Sequence, residues 1–164
     1  MTPEITRPYP RDRIGNGAMF VVEATAAERA ALALRMGLPD VRSLHCDFDL
    51  HRPQAGRIVA KGRLRAQVTQ NCVLSLESFD VEIDEVFEVC FVPSGTESDE
   101  LDLERVDEVP YEGDTLDLGE AASEQLALAL DPFPRKPGAT VPEEGRDDEP
   151  KGPFAALERL RERG

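Results

Sequence analysis

Hydrophobic and polar positions alternate over two neighbouring stretches of the chain. Within 41–50, Leu44, Cys46, Phe48 and Leu50 fall on one side and His45, Asp47 and Asp49 on the other. Within 57–68, Ile58, Ala60, Leu64, Ala66 and Val68 oppose Arg57, Lys61, Arg63, Arg65 and Gln67. A period of two marks a strand with one dry face. The polar turn between the runs, with Pro53 and Gly56, makes them a long antiparallel hairpin. Bringing the dry sides together predicts Leu50 opposite Ile58, Phe48 opposite Ala60, and Asp47 opposite Lys61. A third alternating run over 79–91 sets Phe79, Val81, Ile83, Phe87, Val89 and Phe91 against Asp80, Glu82, Asp84 and Glu88. Residues 72–76 read as a strand preceding it, and 93–110 as an acidic connection holding a short strand or a loose loop.

Helical signals flank these runs. After a short apolar strand at 19–22, Thr25 stands three residues before Glu28, the spacing at which each satisfies a free amide at a helix start. The Ala/Leu-rich run to Met36 is a good helix former, and Gly37 is placed to cap its end. Asp117 and Glu120 repeat the spacing before a second helix, which runs through 124–130 and stops before Pro132. Residues 1–17, with Pro3, Pro8 and Pro10, read as an extended arm closed by a Gly15-Asn16-Gly17 turn. From 132 to 152, prolines, glycines and charges without periodicity predict a disordered linker. Over 153–164, Phe154, Leu157 and Leu160 mark one face of a helix too short to hold alone. It either docks on its own domain or enters a partner's groove. The expected architecture is an α+β domain over 1–131 with a mainly antiparallel sheet, a long hairpin and two packed helices, followed by that linker and terminal helix.

Charge is unevenly spread. The net charge of -14 resolves into +3 for residues 1–79, -17 for 80–131 and 0 for 132–164. A strongly acidic stretch repels phosphate and attracts basic partners, so nucleic-acid binding by the whole domain is disfavoured. With 40% apolar residues there is material for one core. No apolar run of about 18 residues predicts a membrane span, and 1–12 shows no secretory signal. Three scattered cysteines, Cys46, Cys72 and Cys90, are too few for a disulfide framework and point to a reducing, cytoplasmic setting.

Candidate chemistry is sparse. No nucleophile elbow, phosphate-binding loop, dinucleotide turn or His-Glu-x-x-His occurs, so no catalytic residue, cofactor or small-molecule substrate is expected. His45 and Cys46 are strand neighbours facing opposite ways, and Cys72 and Cys90 stand alone, so structural thiols are expected rather than metal ligands. The run holding Asp99, Glu100, Asp102 and Glu104 has three readings: a solvated charge run, a docking surface for a basic protein, or an imitation of a two-metal site. The last requires carboxylates fixed on rigid elements. The stripe Arg57, Lys61, Arg63 and Arg65 either grips RNA phosphates or is neutralised by Asp47, Asp49 and the acidic run that follows. No aromatics interleave it for base stacking.

Three segments in order carry a family resemblance. They are Leu64-Arg65-Ala66-Gln67-Val68-Thr69-Gln70-Asn71-Cys72-Val73-Leu74-Ser75-Leu76-Glu77; Gly113-Asp114-Thr115-Leu116-Asp117-Leu118-Gly119-Glu120 with 124–134; and Pro153-Phe154-Ala155-Ala156-Leu157-Glu158-Arg159-Leu160. Together, with the acidic stretch between, they resemble the YceD family. The resemblance implies a factor needed for large-subunit ribosomal RNA accumulation, with no established catalytic residues to carry over. Many relatives have C-x-x-C in the first segment and further Cys or His near the later prolines. Here Cys72 is followed three places on by Ser75, and 131–164 contains neither residue. The expected function is thus a non-enzymatic accessory factor whose acidic loop and terminal helix bind a basic ribosomal protein. The alternative is direct binding of a large-subunit RNA precursor by the basic stripe.

Overall fold

A computed structural model describes residues 3–54, 56–96 and 106–140. The strands are β1 Pro8–Pro10, β2 Ala18–Glu23, β3 Asp40–Gln54, β4 Arg57–Asn71, β5 Ser78–Pro93, β6 Asp107–Tyr111 and β7 Thr115–Asp117, and the helices are α1 Ala26–Met36 and α2 Leu118–Ala129. β2 to β6 form one five-stranded sheet in chain order, while β1 and β7 make a separate two-stranded ribbon. The neighbours in the large sheet run antiparallel except β6, which is parallel to β5. This is the α+β architecture with a long hairpin that the alternating runs predict. The inward positions of β3 and β4 (Leu44, Cys46, Phe48, Leu50, Ile58, Ala60, Leu64, Ala66 and Val68) are all buried, in one cluster with Leu32 of α1 and Leu118, Ala122 and Leu126 of α2.

The hairpin register differs from the predicted one by two residues. Leu50 faces Ala60, Phe48 faces Gly62, and Asp47 faces Arg63, with Lys61 opposite Asp49. Closure between Gln54 and Arg57, with Gly56 at a φ of 79°, sets this register. The turn is tighter than the polar run suggests, and the pairing shifts between His51 and Gln54, around Pro53. Because the error is even, every side chain keeps its face. Gly62 is the gap in the apolar alternation, and Phe87 fills it. A Cβ built on Gly62 would lie 2.2 Å from the Phe87 ring, which meets Phe48 edge-on at 5.8 Å.

Residues 72–76 are a turn rather than a strand. β4 continues to Asn71 and the chain reverses at once to begin β5 at Ser78. Leu76 N–H donates to Cys72 O (2.9 Å) and Cys72 N–H to Glu77 O (2.8 Å), and Leu76 takes a left-handed φ of 63°. Residues 131–140 return to this turn. Gln70 Nε2 donates to Asp131 O (3.2 Å), Val73 N–H to Pro134 O (2.9 Å), and Lys136 pairs with Glu77 (2.8 Å). The rest of the stretch read as linker, 141–152, and the terminal helix at 153–164 lie outside the described residues.

Both helix starts follow from their caps. Thr25 Oγ1 accepts from Glu28 N–H (3.2 Å) while Thr25 N–H donates to Glu28 Oε2 (2.8 Å), and Gly37 closes α1 in the left-handed region. Asp117 Oδ1 accepts from the N–H groups of Gly119 and Glu120 and from Arg7 N–H (2.9 Å). The N-terminal arm is thereby built into the domain. Ile5 is fully buried beside Gly119, where a Cβ would stand 2.7 Å from Ile5 O. Arg7 grips Glu28 with two hydrogen bonds of 2.7 and 2.8 Å, which together with the Thr25 N–H pull the Glu28 carboxyl down to about 2. Arg35 joins Glu4 of the arm (2.6 Å) and Glu120 of α2 (3.6 Å).

Candidate interaction surface

The face of the sheet opposite the buried cluster carries the charge. Outward side chains line up in rungs across β3, β4 and β5. From one end these are Asp49–Lys61–Glu88, Asp47–Arg63–Val86, His45–Arg65–Asp84, Ser43–Gln67–Glu82 and the Thr69–Asp80 pair. The basic stripe is therefore the middle column, and both neighbouring strands set carboxylates beside it. Across these rungs six carboxylates flank three basic side chains.

Most of those bases are engaged. Arg63 makes a two-point contact with Asp84 through Nε (2.9 Å) and Nη2 (2.8 Å), which lowers the Asp84 carboxyl below its ordinary range. Arg65 reaches Asp47 at 3.1 Å, and His45 meets the other oxygen of Asp47 at 3.2 Å. Arg42 approaches Asp80 at 3.4 Å, which also accepts from Thr69 Oγ1 at 2.8 Å. Gln67 donates to Glu82 at 3.3 Å. Lys61 lies between Asp49 and Glu88 in the ladder, with no ion pair among the described residues. Arg57, at the hairpin end, reaches Glu108 of β6 (3.5 Å) and the Cys90 sulfur (3.4 Å). Met19, Val21 and Val86 are exposed large apolar side chains. Met19 and Val21 extend the first two rungs through β2, and Val86 ends the second.

A phosphate approaching β4 therefore meets paired guanidinium groups and an excess of negative charge. Exposed ion pairs are individually weak, but the sign of the field at the face is set by the sum. The structure brings Arg57, Lys61, Arg63 and Arg65 onto one strand, as predicted. Asp99, Glu100, Asp102, Glu104, Phe154, Leu157 and Leu160 lie outside the described residues. The acidic column of β5, Asp80, Glu82, Asp84 and Glu88, was visible in the alternation only as a polar side. Its place beside the stripe needed the register.

All three cysteines are free and buried. Cys46 faces the core, where burial pushes its thiol up to about 12. Cys72 sits in the turn after β4, with Ser75 N–H 3.4 Å from its sulfur. Hydrogen bonds from the Ser75 side chain and backbone, with lesser help from the Lys136 and Leu74 amides, pull it down to about 7. Among the described residues no group of three or more His, Cys, Asp or Glu side chains is arranged to hold a metal ion. No helix among them is long and apolar enough to cross a membrane.

Residues 60–161 match the sequence model of a protein family described as "Large ribosomal RNA subunit accumulation protein YceD". No curated protein and no solved structure matches the chain.

Proposed function

This chain belongs to the YceD family of large ribosomal RNA subunit accumulation proteins, and on that premise we propose that it acts in the cytoplasm as a non-enzymatic accessory factor that binds a basic ribosomal protein through an acidic surface. One observation carries the choice of partner. The basic stripe of β4 on the outward sheet face is bracketed by carboxylates on both adjacent strands, so the face favours Lys/Arg-rich surfaces over phosphate. The acidic run with Asp99, Glu100, Asp102 and Glu104 adds to the negative charge of the chain, and Phe154, Leu157 and Leu160 would supply an apolar anchor. In this mechanism the acidic surface competes with RNA phosphate for the partner's cations until assembly displaces it.

The test is a comparison of affinities at physiological salt for purified basic ribosomal proteins of the large subunit and for large-subunit RNA fragments. The protein is expected to bind more tightly. Changing Asp99, Glu100, Asp102 and Glu104 to Lys should slow association more than it speeds dissociation, because exposed charges act mainly on the encounter. Changing Arg57, Lys61, Arg63 and Arg65 to Gln should matter little. Loss of activity from the stripe changes with silent loop changes would refute the reading in favour of direct RNA contact, whose affinity should also fall steeply with salt.

A further inference from the structure

Among the described residues the sheet has an unfinished edge. β4 pairs with β5 along the whole of 78–91, but on its other side β5 is paired with β6 only over 89–93. Residues 78–88 thus present an outer edge with no strand beside it among the described residues. An unpaired edge is a template for another strand. At about 3.3 Å per residue, 81–88 alone offers roughly 26 Å of it. Between 78 and 88 stand five carboxylates, Asp80, Glu82, Asp84, Glu85 and Glu88, and no Lys or Arg. Glu85 faces the opposite way from the others, so both faces of the edge are negative, and its side chain is exposed although it shares the inward parity with Ile83 and Phe87.

We propose that this edge receives an extended Lys/Arg-rich segment of the protein partner, which continues the sheet beyond β5 in line with β6. Main-chain hydrogen bonds would supply affinity, and alternate Lys or Arg side chains on each face would supply specificity. The charge argues against two other occupants. A second copy pairing edge to edge would set carboxylates opposite carboxylates, and the chain's own 97–104 run is acidic. The inference rests on the reading of a basic protein partner and adds where and in what conformation that partner binds.

The full chain would be titrated with an eleven-residue peptide alternating Lys and Val, and with the same peptide N-methylated at every amide. N-methylation keeps the charge and removes the main-chain donors of both edges. The expected result is at least tenfold weaker binding of the methylated peptide, with slowed amide exchange within 81–88 only for the unmethylated one. Changing Glu85 and Glu88 to Lys should weaken binding by a similar factor without unfolding the chain. Equal binding of both peptides would overturn the edge proposal and leave the acidic-surface reading standing. So would failure of both peptides while an intact basic ribosomal protein binds. Slow exchange in the free chain that is released by deleting 141–164 would show that the chain's own tail takes the edge, and would also overturn it. Failure of the peptides and of every basic ribosomal protein would bring down the functional reading too.

Discussion

At Gly62 the absence of a side chain is the structural feature. Phe87 from the next strand covers the space a methyl would need, and its ring closes onto Phe48. Gly62→Ala is therefore expected to destabilise the domain by about 1–3 kcal/mol, through displacement of the ring. The same change in a Phe87→Ala background should cost much less, a non-additivity that urea unfolding of the four proteins would measure. Glu28 offers a second test. Its folded pKa, about 2, lies below the ordinary 4.5 because Arg7 and the Thr25 amide bind the charged form. A depressed carboxylate stabilises the fold fully above the unfolded pKa, and that contribution drains away as pH falls from about 4.5 toward 2. Glu28→Gln should thus lower stability by about 1–2 kcal/mol at pH 7, and the gap from the parent protein should shrink steadily on acidification. A constant gap would mean that Glu28 acts through packing alone.

At the scale of elements, the caps and the faces were the most legible features, because both are local. Thr25 and Glu28 lie within one turn, and the reciprocal bonds that their spacing implies are present. Thr25→Ala is expected to cost about 1 kcal/mol, and Thr25→Ser very little, in thermal or urea unfolding. Faces were legible because a period of two survives any even error in pairing. That is why Leu50 and Phe48 point to the core although their partners are Ala60 and Gly62 rather than Ile58 and Ala60. The register itself depended on Gly56 closing the hairpin tightly, which the polar residues around it obscured. Two further features, the parallel placement of β6 and the β1–β7 ribbon, depend on distant pairing and left no local trace. Likewise the basic stripe was legible and its neutralisation was only one of two options, since Asp84 reaches Arg63 across a strand boundary.

For the whole molecule, the return of 131–140 to the turn after β4 can be tested by comparing two truncations. A chain ended after Thr140 keeps Pro134 O for Val73 and Lys136 for Glu77; one ended after Leu130 loses both. The shorter protein should be less stable by about 1–2 kcal/mol. Its Cys72 should also titrate above the value near 7 that the Lys136 amide helps to set, as followed by thiolate absorbance. Equal stabilities and equal titrations would show that the segment contributes nothing to the fold. The arm at the other end has a consequence for synthesis. Ile5 and Arg7 find their seats against Gly119, Asp117 and Leu118, so contacts some 110 residues apart close the fold. A nascent chain emerging from its N-terminus has made the arm first and must hold it unpaired, with Ile5 in water, until the start of α2 has left the exit tunnel. Long-range closure of this kind slows folding. The arm of this chain therefore stays out of its seat until synthesis has passed Asp117 and the start of α2.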